Sequence, residues 1–294
     1  MKEIVSIIVT HENRLRCILR NIIETSYHYK NCCIIKLSLT KKMNKIHYDI
    51  SLIYDGDSHK NMIYYTTEIK PTIDNNKEIL FPNLSNSITK LLNIKSSDLK
   101  NNILYTFFMI RHAQSEHNLY NIIEKLGSPL KLDTSLTDTG VKQSEKAGIF
   151  LNKYLKNNKL SINYLFASDL KRTRQTLSII LSKISIIIPS IITIIPCSHE
   201  VLYTKKDNCD KNMILSLGSI AGENRMNCNT NCNINKDEQC CEIKYKNKKY
   251  NIDWTFYNKF YKGTRKFTYM KDNKQSCSNN DYIEMMVDYI NSLK

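Results

Sequence analysis

Residues 104–118 read LYTFFMIRHAQSEHN. The first seven are rich in aromatic and branched side chains, the pattern of a strand buried on both faces of a parallel sheet. Arg111 and His112 close that strand, with Ser115 and Asn118 following in the next turn. In parallel α/β sheets chemistry gathers at the carboxyl ends of strands, so this is where reactive side chains belong. Arginine offers a fixed fork of donors to phosphate oxygens. A neutral imidazole is a competent nucleophile toward phosphorus.

Working outward, a second strand of the same kind is EIVSIIVT, residues 3–10, which runs into His11. Leu15, Ile18, Leu19, Ile22 and Ile23 then recur at helical spacing. Residues 32–39 and 47–54 alternate polar and apolar and predict a hairpin. The stretch 74–103 is polar, reads as a linker, and holds a short helical pattern at 88–92. After the motif, a helix begins at SLTDTGVKQSEKAG with Thr137 as N-cap and Val141, Ala147, Leu151, Tyr154 and Leu155 on its apolar face. INYLFASD is a strand running into a turn, LKRTRQTLSIILSKI a helix, and IITIIP another strand. Residues 205–250 are rich in Asn and Cys and read as a surface insertion. YIEMMVDYINSLK, 282–294, is an amphipathic helix. The alternation predicts an α/β fold with a mainly parallel central sheet flanked by helices. Residues 1–73, 74–103 and 104–294 are then a first segment, a linker and the main region, with the first segment packing into the same domain.

Composition narrows the function classes. The chain has 294 residues, 41% of them hydrophobic and 24% charged, enough for a sizeable core without a disulfide scaffold. Seven glycines and five prolines exclude collagen-like and proline-rich architectures. Lys and Arg number 43 against 28 acids, a net charge of +15, but lysine is spread along the whole chain. An anionic small substrate or plain compositional drift explains that balance better than nucleic acid or an anionic membrane, and no nucleic-acid partner is expected. The apolar stretch 177–196 contains Lys183, Pro189 and Pro196, which predicts a helix end and a strand, not a membrane span. The start of the chain lacks the pattern of a signal peptide. A cytoplasmic protein with reduced thiols is expected, without membrane association. Cys209, Cys228, Cys232, Cys240 and Cys241 lack the paired spacing of structural zinc sites, so no metal or other cofactor is expected.

Three segments carry a resemblance. RHAQSEHN resembles the signature R-H-G-x-[ST]-x-x-N of the histidine phosphatase superfamily, which includes the cofactor-dependent phosphoglycerate mutases, with Ala113 in place of Gly. Leu136, Thr137, Gly140, Gln143 and Ser144 resemble its L-T-x-x-G-x-x-Q-[AS] helix start. Ser168, Leu170, Arg172, Thr173 and Thr176 resemble its S-x-L-x-R-[AT]-x-x-T segment. Such proteins also carry a carboxylic acid shortly after a later Pro, the place of Glu200, with Glu223 and Glu242 as weaker choices. Their second histidine comes late in the chain, yet no histidine follows His199 here. Instead THENRLRC, with His11, Asn13, Leu15, Arg16 and Cys17, resembles that second-histidine segment, and Glu12 replaces its usual Gly. The resemblance thus implies a circularly permuted, phosphoglycerate mutase-like fold in which the helix 282–294 would normally lead into the strand 3–10.

The same resemblance implies the chemistry. His112 attacks phosphorus in line, while Arg111, Arg172, His11 and Asn118 hold the phosphoryl oxygens, helped by Asn13. Glu200 protonates the leaving oxygen and then activates water. The catalytic residues are then His112, Glu200 and His11. The implied activity is hydrolysis of a phosphate monoester, small molecule or phosphoprotein, through a phosphohistidine. The alternatives are mutase-type transfer and a lapsed phosphate-binding or scaffold protein. Substrate identity and oligomeric state stay open. Glu12, a negative side chain beside the phosphate pocket, is expected to repel substrate if it faces the site.

Overall fold

A computed structural model describes residues 1–12, 14–15, 29–42, 45–56, 72–73, 79–80, 97–119, 134–195, 198, 242–260, 269–271, 274–276 and 281–293. The strands are β1 (Lys2–Thr10), β2 (Ile34–Lys42), β3 (Lys45–Tyr54), β4 (Thr72–Ile73), β5 (Ile79–Leu80), β6 (Ile103–Arg111), β7 (Ile162–Ala167), β8 (Ile191–Ile194), β9 (Glu242–Tyr245), β10 (Lys248–Asp253), β11 (Tyr269–Lys271) and β12 (Lys274–Ser276). The helices are α1 (Glu116–Leu119), α2 (Asp138–Asn157), α3 (Lys171–Ser182), α4 (Thr255–Phe260) and α5 (Asp281–Ser292).

Among the described residues ten strands form one sheet in the order β4-β5-β3-β2-β6-β1-β7-β8-β10-β9, and β11 and β12 pair separately. The two runs that end in histidine are central neighbours. β1 lies parallel to β6 on one side and to β7 on the other. Their register pairs Val9 with Ile110 and Thr10 with Arg111, so both strands release their next residue at the same level. His112 N donates to the Thr10 carbonyl at 2.9 Å, which ties the two exits together.

Burial on both faces explains the sequence of β1. Ile4 and Ile8 join one core with Phe107 and Met109 of β6 and with Ile283, Met286, Val287 and Ile290 of α5. Val5, Ile7 and Val9 join the opposite core with Ala147 and Leu151 of α2 and Leu177 and Ile180 of α3. Adjacent residues of a strand point to opposite faces, so only a run that is apolar throughout can be covered on both. α2 and α3 approach closely at Gly148, where an added Cβ would stand 2.7 Å from the Ile180 carbonyl oxygen.

The α/β class and the parallel centre hold, and two expectations need correction. β6, β1, β7, β8 and β10 run parallel, and β2, β3, β5, β4 and β9 attach antiparallel on either side of them. The hairpin of β2 and β3 attaches through β2 to the outer edge of β6, and β9 returns beside β10, so the antiparallel pairs lie outside the parallel centre. The stretch 74–103 is not wholly an outer linker, because β5 pairs with β3 and Leu99 is buried in the core. The insertion expected over 205–250 ends in structure: β9 and β10 extend the sheet and bury Ile243, Tyr250 and Ile252. The helical pattern after Leu15, the pattern at 88–92 and the cysteines between 209 and 241 lie outside the described residues. No described helix is long and apolar enough to cross a membrane. Residues 177–196 divide as expected between α3 and β8.

Candidate active site

His11 and His112 face one another where β1 and β6 end. Their ring centroids are 5.1 Å apart and the rings meet edge to face at 63°. Both are buried. Shared register, and not sequence proximity, brings them together, since 101 positions separate them.

The partners of His112 define its protonation. Nδ1 lies 2.7 Å from the Ala113 carbonyl oxygen, which can only accept, so Nδ1 carries the hydrogen. Arg172 donates from Nε to His112 Nε2 at 3.3 Å. The ring is thereby neutral, with its Nε2 lone pair directed toward a guanidinium. Arg172 sits in the first turn of α3 and is fully buried. An incoming phosphoryl group would meet a nucleophilic nitrogen and a cation at the same point.

The loop after His112 is held by the second and third motif segments. Ala113 N donates to Thr176 Oγ1 at 3.0 Å and Gln114 N to Gln143 Oε1 at 2.9 Å. Thr137 caps α2 by accepting from Gly140 N at 3.1 Å, and its hydroxyl donates to Gln114 Oε1 at 2.7 Å. Gly140 is required by close approach: a Cβ there would lie 2.0 Å from the Gln114 carbonyl oxygen. Asn31 Nδ2 donates to the His112 carbonyl at 2.9 Å. The motif residues of α2 and α3 are therefore clamps on the loop as well as a helix start.

His11 is held separately. Its Nε2 is 2.7 Å from Ser168 Oγ, which in turn lies 3.1 Å from Thr173 Oγ1. Ser168 N donates to the Val9 carbonyl, so the turn after β7 is fastened to the strand that delivers His11. Next to Ser168, Asp169 is fully buried and accepts from Tyr257 of α4 at 3.1 Å. Burial raises its carboxyl to about 6, against the pull of Tyr257, Arg174 and Arg172.

Arg111 is committed to the protein more than its motif suggests. Nη1 donates to the Tyr29 carbonyl, and Nη2 lies 3.0 Å from Glu12 Oε2. Among the described residues its buried Nε has no partner. The Glu12 carboxylate is engaged by Arg111.

Of the residues singled out in the sequence, the structure gathers His112, His11 and Arg172, with Arg111 at the same strand end. Asn118 turns its Oδ1 onto Ser115, accepting from Ser115 N at 2.9 Å and Oγ at 3.1 Å, which leaves only its Nδ2 to serve an anion. Asn13, Glu200 and Glu223 lie outside the described residues. Glu242 is drawn away to Lys244 and Lys249 at the sheet edge. Sequence reasoning missed the pairing of Ser168 with His11, the hold of Asn31, and the Glu12–Arg111 ion pair. The acidic replacement at position 12 was the one visible signal for the last. Among the described residues no group of three His, Cys, Asp or Glu could hold a metal ion.

Comparison with known proteins agrees with this geometry. Residues 107–193 match the histidine phosphatase superfamily (branch 1). A broad-specificity phosphatase of Saccharomyces cerevisiae is 36% identical over 84 residues, 29% of this chain and 33% of that protein. A fructose-2,6-bisphosphatase of Bos taurus is 35% identical over 79 residues, 27% of this chain and 26% of its own. A 2,3-bisphosphoglycerate-dependent phosphoglycerate mutase of Cytophaga hutchinsonii is 40% identical over 83 residues, 28% and 34%. The matches thus span about a third or less of each relative's length. No solved structure gives a significant match.

Proposed function

We propose that this chain is a phosphomonoesterase that works through a phosphohistidine on His112. The observation that carries the reading is the His112 ring 5.1 Å from that of His11, with Arg172 Nε donating to its Nε2 at 3.3 Å. In the first step Nε2 forms a bond to phosphorus as the bond to the leaving oxygen breaks, and Glu200 gives that oxygen a proton. In the second, Glu200 takes a proton from water, whose oxygen attacks phosphorus and releases phosphate and free imidazole. Arg172 and His11 stabilise the equatorial oxygens throughout, with Nε of Arg111 and the amides of Asn118 and Asn13 as further donors. The place of Glu200 in this scheme rests on its motif position. Mutase-type transfer would share the first step and replace water by a second substrate. The phosphatases among the relatives favour hydrolysis. A small phosphorylated molecule or a phosphoprotein is the substrate class. A cytoplasmic setting is part of the same proposal.

The reading includes circular permutation. The span matched to the superfamily, 107–193, contains most of β6, all of β7 and most of β8. β1 lies outside that span, yet it is hydrogen-bonded between β6 and β7 and supplies His11. A strand required in the middle of the sheet is thus encoded ahead of the matched region, which supports the exchanged order.

Turnover of para-nitrophenyl phosphate tests the activity. Wild-type protein should hydrolyse it, and His112→Ala should lower kcat by at least about a thousandfold. Activity retained in that variant removes the proposal. Activity should also survive EDTA and fall with vanadate. Loss on chelation, restored by a divalent metal, would contradict a metal-free mechanism.

A further inference from the structure

The ion pair of Glu12 with Arg111 is not used by the scheme above. It is nearly enclosed: the two side chains are 16% and 6% exposed. Arg111 has five N–H donors in a planar fork, and a phosphate would ordinarily take two along one edge. Here Nη1 serves the Tyr29 carbonyl and Nη2 serves Glu12, and Nε has no partner among the described residues. The arginine has therefore given up part of its fork and has its charge compensated from within the protein. The carboxylate is placed by Arg111: it lies 3.0 Å from Nη2 of the same guanidinium whose Nε the scheme above turns to the phosphoryl group.

A fixed carboxylate at that place acts on what the phosphate is attached to. The phosphoryl group still meets Arg172 and the histidine pair. A second anionic group on the substrate finds Arg111 already neutralised by Glu12 and lacks the cation that would hold it. A neutral or cationic group needs no such cation and loses nothing. The net charge of +15 does not reverse this preference, because surface charges are screened over roughly 8–10 Å at ordinary ionic strength, whereas Glu12 acts by direct, nearly enclosed contact with Arg111.

We propose that Glu12 sets the charge selectivity of the site, favouring phosphomonoesters with a neutral or cationic leaving group over bisphosphates and other polyanions. This rests on the reading that the phosphoryl group is bound at His112. It also separates this chain from the relative named for a bisphosphate substrate.

The test compares wild-type protein with Glu12→Gln, close to isosteric, and Glu12→Gly. Three probes are used: phosphocholine, para-nitrophenyl phosphate and fructose 2,6-bisphosphate. The quantity read is the ratio of kcat/KM for phosphocholine to that for the bisphosphate. Comparing this ratio between variants cancels the intrinsic reactivity of each ester. It should fall by about tenfold or more in both variants, the direction expected when one charge is removed from an enclosed site. An unchanged ratio overturns the proposal. So does an equal loss on all three probes, which would make Glu12 a support for Arg111 alone. If wild-type protein hydrolyses none of the probes, the phosphatase reading fails by itself. Dissociation constants for phosphocholine and the bisphosphate, measured by calorimetry, then give the same ratio, with the same result expected and the same result overturning it.

Discussion

At the scale of the residue, Ser168 and Asp169 are neighbours with opposite consequences. Ser168 Oγ is the 2.7 Å partner of His11 Nε2. Ser168→Ala should cost about 1 kcal/mol of stability, the usual worth of one such bond. It should lower kcat about tenfold, because His11 loses the contact that orients its ring. Steady-state kinetics beside a denaturant titration check both. A wild-type kcat would show that His11 is held by its strand alone. Asp169 carries a pH dependence whose sign follows from its environment. Burial raises its carboxyl from 3.8 to about 6. Between about pH 4 and 6 the folded protein keeps a proton that the unfolded chain has lost. This group therefore adds stability at the acid end of that window, and the contribution is lost as pH rises through about 6. Asp169→Asn removes the dependence. The difference in Tm between wild type and variant should change across that window, by an amount on the order of 2 kcal/mol in free energy. Parallel Tm curves would contradict the assignment.

At the scale of the element, the first turn of α2 is as much part of the site as the strands. Gly140→Ala would ordinarily strengthen a helix by about 1 kcal/mol. Here the new Cβ would stand 2.0 Å from a backbone oxygen, and no flexible side chain can yield. The clash outweighs propensity, so the variant should be destabilised by roughly 2 kcal/mol or more and should displace the loop after His112. Thermal melting beside activity tests this, and a variant with raised Tm and full activity would refute it. The elements that fix the site were legible because each burial pattern was uniform. β1 and β6 are apolar throughout and covered on both faces. The hairpin of β2 and β3 alternates and was readable for that reason. β9 and β10 were not, because Lys244, Lys246, Lys248 and Lys249 hide the alternate Ile243, Tyr250 and Ile252 that face the core. β4 and β5 are two residues each, too short for any period. Side-chain pairings such as His11 with Ser168, 157 positions apart, depend on register between strands and cannot be read from local sequence.

At the scale of the whole molecule, the account makes residues 1–56 part of one domain. Ile4, Val5, Ile7, Ile8 and Val9 are each 3% exposed or less. At about 1.5–3 kcal/mol per buried side chain, their burial is comparable with the net stability of an entire domain, about 5–15 kcal/mol. Removing residues 1–55 should therefore abolish folding and not merely activity. A soluble, cooperatively melting remainder would contradict a single domain. Both ends of the described chain meet the same segment. Lys2 N donates to the Asn102 carbonyl at 3.0 Å, and Asn291 Nδ2 to the Asp98 carbonyl at 2.8 Å. Tyr105, paired with Ile4, also donates to Asn291 Oδ1 at 3.2 Å. A reordered chain running 97–294 and then, through a short linker, 1–96 should thus fold with a similar Tm and equal activity. The central claim is that two histidines from distant segments act on one phosphate, with His112 as the nucleophile. Rapid-quench mass spectrometry under alkaline conditions tests it most directly. After mixing with an aryl phosphate, the account predicts an acid-labile phosphoryl adduct on His112 that forms and decays at rates consistent with turnover. An active enzyme with no adduct on His112, or with the adduct on another residue, would contradict it.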